Sequence, residues 1–319
     1  MLTKAAFHDL LNSRGTLIID GALATELESR GHDLTHPLWS GRVLHQDPAD
    51  IKAIHLQYFL AGSDIAITST YQTSIPGLKE QLNLSGAAAK SLIVSSVRIA
   101  QSAREAAYTR GVPADRTLIV AGSVGPYGAY LADGSEYRGD YNVPSADMKA
   151  FHRGRIQALV EAGADVLCLE TMPNLEEVRA LLELLTEEFP TAIMVLSCTL
   201  KDATHISDGS SIPELLVMLK QLSTQIVGFG VNCVPPDLIT DFLNSARALT
   251  DIPLLCYPNS GEVYDGASNT WSGTATHQDL ASRTVEEWIP AGVRLVGGCC
   301  RTTPEDIRNL VSALHTSMK

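Results

Sequence analysis

Short apolar runs rich in β-branched residues alternate with amphipathic helical stretches along the whole chain. This alternation is typical of repeated β-α-β units, in which helices cover both faces of a parallel sheet and the strands are apolar on both sides. Eight such strand and helix pairs can be counted, with strands predicted at residues 17–20, 65–68, 118–122, 166–170, 193–197, 227–231, 254–257 and 295–298.

Several of the predicted helices carry start signals in the sequence. Asn174 is predicted to cap a helix over residues 175–188, with Glu177 at the third helical position. Proline is tolerated in the first turn of a helix because the amide that it lacks would have no partner there. Three helices are predicted to begin in this way: one opened by Asp47 and Pro48 and running to Leu60, and two others at Pro236 and Pro304.

Eight consecutive units favour closure of the sheet into a barrel, because an open doubly wound sheet more often has five or six strands. The chain has 319 residues, a length that one α/β barrel accommodates. No dinucleotide-binding or P-loop fingerprint follows any predicted strand. The sequence therefore predicts a single (β/α)8 TIM-barrel domain over residues 1–319. Its long loops at 22–46, 123–144 and 258–275 follow strand C-terminal ends, the catalytic face of such barrels.

Composition and charge restrict the partners and the compartment. The formal net charge is -12 and the pI is near 5.2, which argues against a nucleic-acid or anionic-membrane surface and favours small-molecule partners. Residues 1–14 include polar positions and lack the apolar stretch of a signal peptide, and no run of about 18 apolar residues predicts a membrane span. We therefore expect a cytoplasmic protein, in which the six cysteines serve metal binding, catalysis or packing.

Three cysteines end two strands of the predicted barrel. Cys233 ends the sixth strand, and Cys299 and Cys300 end the eighth, so all three reach the same rim. Neighbouring residues of a regular strand point to opposite faces, so the pair can share a ligand only where Gly297 and Gly298 break the strand. Three thiolates without a fourth protein ligand are typical of a catalytic zinc site, which keeps one position open. We expect one Zn²⁺ per chain; the alternative is a chance Cys-Cys pair and a buried thiol at Cys233.

The other cysteines and the histidines give no second metal site. Cys168, Cys198 and Cys256 lie in or at the end of apolar strands, where a thiol packs as a small hydrophobic group. The histidines show no paired ligand spacing and are interpreted as surface or packing residues. They are His8, His32, His36, His45, His55, His152, His205, His277 and His315.

In these residues and their surrounding motifs, the chain resembles the homocysteine S-methyltransferases. This family includes betaine-homocysteine methyltransferase and the homocysteine domain of cobalamin-dependent methionine synthase. The resemblance spans nearly the whole chain, and its most specific marks are residues 231–233 (VNC) and 297–301 (GGCCR). Weaker marks are residues 20–25 (DGALAT), 68–72 (TSTYQ) and 170–171 (ET). Residues 125–141 (GPYGAYLADGSEYRGDY) look like the subgroup that takes its methyl group from S-methylmethionine.

The resemblance implies methyl transfer to the thiol of L-homocysteine, giving methionine. A free thiol has a pKa near 8.5, whereas a zinc-coordinated thiol is deprotonated and nucleophilic at neutral pH. The expected donor is S-methylmethionine or S-adenosylmethionine. The alternatives are a betaine-dependent enzyme, an enzyme that works with a separate corrinoid protein, and a non-catalytic barrel that binds zinc or senses redox state through its cysteines.

The resemblance also assigns roles to residues at the strand ends. It assigns Asp20 and Glu170 to the ammonium group of homocysteine. Independently of the resemblance, the backbone amides of Gly21 and Ala22 on the loop are expected to receive the substrate carboxylate. Asp20 is alternatively a turn-forming residue, whereas a carboxylate at the end of a buried strand, as at Glu170, needs a partner.

Two further polar residues are candidates for the homocysteine pocket. Asn232, beside Cys233, either positions the substrate or satisfies a neighbouring backbone group. Gln72 is a candidate for the pocket wall.

A sulfonium donor is a cation without a hydrogen to donate, so aromatic faces suit it. Aromatic residues on the long loops are therefore candidates for donor binding, although such residues often pack against their own loop. They are Tyr127, Tyr130, Tyr137, Tyr141 and Trp271.

Overall fold

Eight parallel strands form one sheet in the computed structural model, which describes the backbone of residues 1–265, 270–272 and 277–317 and the side chains of 1–262 and 280–317. In chain order the strands are β1 (Leu17–Ile18), β2 (Ile65–Ile67), β3 (Ile119–Val124), β4 (Val166–Met172), β5 (Met194–Cys198), β6 (Ile226–Asn232), β7 (Leu254–Tyr257) and β8 (Val293–Val296).

The sheet closes on itself. Its strand order is β1-β8-β7-β6-β5-β4-β3-β2, and a parallel bridge between Ile19 and Ile65 joins β1 to β2. The amide of Asp20 continues this junction by donating to the Ile65 carbonyl at 3.0 Å. The predicted eight-stranded barrel is therefore confirmed, and the carboxyl ends of all eight strands meet at one rim.

Helices connect the strands and pack around the sheet. They are α1 (Lys4–Arg14), α2 (Leu23–Ser29), α3 (Ser40–Gln46), α4 (Pro48–Ala61), α5 (Ile75–Leu82), α6 (Gly86–Thr109), α7 (Tyr127–Leu131), α8 (Ser145–Glu161), α9 (Leu175–Glu188), α10 (Ile212–Leu222), α11 (Pro236–Ala246), α12 (His277–Arg283) and α13 (Pro304–Ser317). A 3-10 turn spans Ser135–Tyr137 and a π-helical turn Thr284–Trp288. Within the described part of the chain, no helix has the length and apolarity needed to cross a bilayer.

The helix signals in the sequence agree closely with these bounds. Asn174 caps α9 as predicted, because its Oδ1 accepts from the Glu177 amide at 2.9 Å. Helix α4 begins at Pro48 and ends one residue beyond the predicted Leu60. Asp47 occupies the position before it without a side-chain capping hydrogen bond, so proline alone marks that start.

Two apolar layers hold the barrel together. The inner layer fills the barrel with side chains from alternate strand positions, among them Ile119, Cys168 and Leu295. The outer layer packs the other strand faces against the helices and includes Cys198 and Cys256. All three of these cysteines are buried free thiols, as the sequence predicts.

Two antiparallel hairpins follow barrel strands on the catalytic face and were not evident from the sequence. The first pairs Leu200–Asp202 with His205–Ile206 after β5. The second pairs Val263–Asp265 with Thr270–Ser272 after β7. They extend this face beyond the strand ends.

Candidate metal centre and substrate pocket

The structure brings Cys233, Cys299 and Cys300 together at the rim of the barrel. Their three sulfur atoms all lie within 4.8 Å of one another. Cys233 and Cys299 are paired as a disulfide with their Cα atoms 5.5 Å apart, and Cys300 is a partly exposed free thiol. Sulfur atoms from two different strand ends thus form one cluster.

Glycines explain how two consecutive cysteines reach one cluster. Strand β8 ends at Val296, before Gly297. A Cβ atom at Gly297 would lie 2.7 Å from the Ile19 Cβ, so only glycine allows β1 to approach this closely. The Gly298 amide then donates to the Asp20 carbonyl at 3.0 Å, and the Cys299 amide to the Pro258 carbonyl at 2.7 Å. The strand is broken here, as the two glycines predict.

The cysteine cluster fits a tetrahedral zinc ion. Zinc–sulfur bonds of about 2.3 Å place sulfur ligands about 3.8 Å apart, a spacing that this cluster allows once Cys233 and Cys299 are reduced. Within the described residues the cluster contains three ligands, which is the donor set of a catalytic site with one open position. Burial raises the pKa of the Cys300 thiol to about 12, and the nearby carboxylate of Glu170 contributes to this rise. A metal ion is what would keep that sulfur as a thiolate at neutral pH.

A second group of potential ligands consists of His32, Asp47 and Asp50. The Asp50 carboxylate already pairs with Arg30 Nη1 at 3.0 Å and with His32 Nε2 at 2.7 Å. A guanidinium group at this position opposes a metal cation, so this group is a surface ion-pair network.

Two buried carboxyl groups lie at the ends of strands near the cysteines. Glu170 accepts a hydrogen bond from Ser123 Oγ and one from the Tyr257 hydroxyl at 3.4 Å. Burial raises the pKa of Glu170 to about 7. Asp20 accepts from the Ile67 amide at 2.9 Å, and burial, together with the charge of Glu170, raises its pKa well above the usual range. The pair has no cationic partner among the described residues that would offset both charges.

Asn232 satisfies a backbone group, one of its two predicted roles. Its Oδ1 accepts from the Thr171 amide at 2.8 Å, and its Nδ2 donates to Thr171 Oγ1 at 2.9 Å. The same Nδ2 lies 3.9 Å from Cys299 Sγ. Asn232 therefore links the residue after Glu170 to the cysteine cluster.

The loop after β1 presents backbone amides to the same rim. The Ala22 amide donates to Thr302 Oγ1 at 3.3 Å, and the Ala22 carbonyl accepts from the Tyr58 hydroxyl at 3.1 Å. A Cβ at Gly21 would lie 2.9 Å from both of these hydroxyl groups. Ala22 must release Thr302 to receive a substrate carboxylate, so the geometry favours the Gly21 amide.

Gln72 lies on the loop after β2. Its Nε2 donates to the Ala129 carbonyl at 3.1 Å, and its buried Oε1 has no hydrogen-bond partner in the described part of the chain. Gln72 thus joins this loop to α7.

The predicted donor-binding aromatic residues separate into different environments. The Tyr127 ring lies 5.5 Å from that of Tyr130 and 4.9 Å from that of Phe151 on α8. These two tyrosines therefore pack against their own loop and α8, the alternative considered for loop aromatics. Tyr137 lies near Tyr71, whose phenol pKa it helps to raise. The side chain of Trp271 lies outside the described residues.

Tyr71 and Glu136 are site residues that were not singled out from the sequence. Burial and the charge of Glu136 raise the pKa of the Tyr71 phenol, which is also hydrogen-bonded to Thr171. The Trp39 ring lies 6.4 Å from the Tyr71 ring. The position of Tyr71 directly after the polar run 68–70 at the end of β2 was the available signal. Glu136, in the middle of a long loop, carried none.

A buried ion network holds the loops above the barrel. Glu177 accepts from the Tyr127 amide at 2.7 Å, from the Tyr141 hydroxyl and from His152 Nε2 at 2.6 Å. Arg155 donates to the Tyr71 carbonyl at 2.8 Å and to the Gly125 carbonyl at 2.5 Å. Since Arg155 also contacts His152 Nδ1 at 2.9 Å, one network anchors the loops after β2 and β3.

Known proteins resemble this chain over nearly its full length. A family model described as homocysteine S-methyltransferase matches residues 17–314. Homocysteine S-methyltransferase of Escherichia coli (strain K12) is 48% identical over 301 residues, covering 94% of this chain and 96% of that protein. Homocysteine S-methyltransferase YbgG of Bacillus subtilis (strain 168) is 42% identical over 310 residues, covering 95% and 96%. The crystal structure of the metallated form of the homocysteine methyltransferase MmuM from Escherichia coli superposes with a TM-score of 0.87 at 45% identity, covering 96% and 99%.

Proposed function

This chain belongs to the homocysteine S-methyltransferase family, and on that basis we propose that it methylates L-homocysteine with S-methylmethionine at a zinc site formed by its three rim cysteines. The observation that carries the proposal is the convergence of three sulfur atoms within 4.8 Å, linked through Asn232 to the strand end that bears Glu170. The products are methionine from homocysteine and methionine from the donor.

Cys233, Cys299 and Cys300 would hold the zinc ion, which supplies an open coordination position that binds the homocysteine sulfur as a thiolate. The MmuM structure described as metallated supports a metal in this family. The paired sulfurs of Cys233 and Cys299 must be reduced before they bind it, so we place the activity in the reducing cytoplasm.

Glu170 and Asp20 would bind the ammonium group of homocysteine. Burial raises the pKa of both carboxyl groups, and the charge of Glu170 raises that of Asp20 further. An incoming cation therefore stabilises their ionised forms. The Gly21 amide would receive the substrate carboxylate. These contacts at the amino-acid end orient the sulfur toward the cysteine cluster, and orientation of reacting groups lowers the barrier.

Methyl transfer needs no proton from the protein. The homocysteine sulfur forms a bond to the donor methyl carbon, and the bond between that carbon and the sulfonium sulfur breaks. The electron pair of the broken bond stays on the departing sulfur, which becomes a neutral thioether. The residues that face the donor therefore have to orient the methyl group and surround a cation, a role that suits the aromatic rings of Tyr71 and Trp39.

The preferred donor in this proposal is S-methylmethionine, S-adenosylmethionine is used more slowly, and betaine is not used. Kinetics with each donor at saturating homocysteine test this ranking. Fastest turnover with betaine would contradict the donor assignment, and turnover only with a methylated corrinoid protein would replace it with a corrinoid-linked route.

The paired Cys233 and Cys299 favour one other candidate, a barrel that binds zinc or senses redox state without catalysis. Metal analysis and the methylation assay on the same preparation separate the two. Stoichiometric zinc with no homocysteine methylation by any of the donors would support the sensor.

A further inference from the structure

Glu136 occupies a turn that is fixed from several sides. It lies in the 3-10 turn Ser135–Tyr137 on the loop after β3. Thr199, directly after β5, donates through Oγ1 to the Glu136 carbonyl at 3.1 Å. The Gly128 backbone packs so closely that a Cβ there would lie 2.5 Å from the Glu136 amide nitrogen. The backbone at Glu136 is therefore held in place by the fold.

One oxygen of the Glu136 carboxylate has no hydrogen-bond donor among the described residues. This oxygen, Oε2, is buried and accepts no hydrogen bond from any residue that the structure describes. The nearby Arg138 pairs instead with Asp140 at 2.9 Å and with Asp133 at 3.8 Å. A buried carboxylate oxygen without a hydrogen-bond donor is costly, and such an oxygen is accounted for when a ligand supplies the donor.

The turn that contains Glu136 packs on the rim of the barrel, where Thr199 follows β5. The negative charge of Glu136 contributes to the raised pKa of the Tyr71 phenol, which is hydrogen-bonded to Thr171, the residue after Glu170. Glu170 acts on the same phenol. Glu136, on the loop after β3, is a carboxylate distinct from Asp20 after β1 and from Glu170 in β4.

Building on the proposed function, we propose that Glu136 binds the α-ammonium group of the sulfonium donor. The homocysteine ammonium is already assigned to Asp20 and Glu170. A sulfonium group has no hydrogen to donate, so it cannot satisfy Oε2, whereas an ammonium group brings three N–H donors. Glu136 would select amino-acid sulfonium donors and reject betaine, whose quaternary nitrogen also lacks a hydrogen.

The test compares two sulfonium compounds that differ in the ammonium group: S-methylmethionine and dimethylsulfoniopropionate, which has a carboxylate but no amino group. Calorimetric titration measures the binding of each to the zinc-loaded wild type and to Glu136→Gln. We expect the variant to bind S-methylmethionine about 10- to 100-fold more weakly, the usual effect of losing a hydrogen bond to a charged group. Its affinity for dimethylsulfoniopropionate should change less than about threefold, because that compound lacks the group that Glu136 binds.

Asp140→Asn is the matched control, because it removes one negative charge from the same loop at an exposed position. It should bind both compounds within about twofold of wild type, since an exposed charge is screened. Equal losses for both compounds in Glu136→Gln, equal losses in the two variants, or unchanged binding of S-methylmethionine would each overturn the assignment. Methyl transfer is measured separately. If Glu136→Gln shows the expected selective loss of S-methylmethionine binding but the wild type does not methylate homocysteine, the proposed reaction is contradicted and the Glu136 assignment stands.

Discussion

The side-chain amide of Asn232 is hydrogen-bonded at both of its ends to Thr171, across the interior of the barrel from β6 to β4. Thr171 follows Glu170, and Cys233 follows Asn232. Both Thr171 and Cys233 have left-handed backbone conformations, with φ values of 61° and 52°, which are uncommon for residues other than glycine. The Asn232–Thr171 pair therefore fixes the distance between Glu170, the proposed substrate-binding carboxylate, and Cys233, a proposed metal ligand.

Asn232→Ala should lower the free energy of unfolding by about 1–3 kcal/mol, because the buried Thr171 amide loses its acceptor. It should also raise the KM for homocysteine, since Glu170 is no longer held in place. Denaturant unfolding and steady-state kinetics check the two effects. Thr171→Val keeps the hydrogen bond from the residue 171 backbone amide to Asn232 and loses only the hydroxyl, so it should lower the unfolding free energy by less. An unchanged unfolding free energy in Asn232→Ala would show that the pair does not hold the site together.

The purified, reduced protein should contain about one zinc per chain. Cys233→Ala, Cys299→Ala and Cys300→Ala should each lose most of the zinc and the methyltransferase activity. Metal analysis by mass spectrometry and the homocysteine assay give the readouts. Cys168→Ala, a buried thiol 3.5 Å from the Tyr257 hydroxyl, should keep its zinc and lose only stability from the cavity. Full zinc in all three rim variants would show that the metal lies elsewhere.

Glu170→Gln should weaken homocysteine binding while zinc stays bound, because the amide cannot pair with the ammonium. It should also change the pH dependence of stability. The folded-state pKa of about 7 exceeds the ordinary 4.5, so the folded protein holds this proton more tightly, and stability is lost as pH rises from 4.5 to 7. Without homocysteine, the variant should therefore be more stable than wild type at pH 8, by up to about 3 kcal/mol.

At pH 4 the gain from Glu170→Gln should disappear, since the wild-type carboxyl group is then protonated in the folded protein. Thermal unfolding at both pH values measures this difference. Glu105→Gln, an exposed carboxylate, should show no such dependence. If Glu170→Gln is less stable than the wild type at pH 8 and binds homocysteine with wild-type affinity, Glu170 has a structural role only.

Glu177→Ala should destabilise the protein by about 3–5 kcal/mol, because it leaves the buried Arg155 and His152 without their carboxylate. The KM for the donor should rise as well, since the loop that contains Tyr127 loses an anchor. Chemical unfolding and donor kinetics measure the two effects. Glu176→Ala, an exposed neighbour on α9 that pairs with Arg179, should change stability by less than about 1 kcal/mol. Similar costs at the two positions would contradict an anchoring role.

The sequence by itself determined the barrel, its helices and the convergence of the rim cysteines. Hydrophobic periodicity is a local property, and the bounds of β7 and α9 were read from it without error. Cys233 and Cys300 lie 67 positions apart, yet both follow barrel strands, and all strand C-terminal ends of a barrel meet at one rim. Order along the chain and closure of the sheet were therefore sufficient to bring them together.

Only the tertiary structure decided which loop side chains face the site. Tyr127 and Tyr130, candidates for donor binding, pack with Phe151, while Tyr71 is hydrogen-bonded to Thr171 beside Glu170. In a strand, successive side chains point to opposite faces, so their directions can be predicted from the sequence. In an irregular loop, the direction of a side chain depends on each φ and ψ value and on contacts with distant segments, so it is defined only once the whole chain has folded.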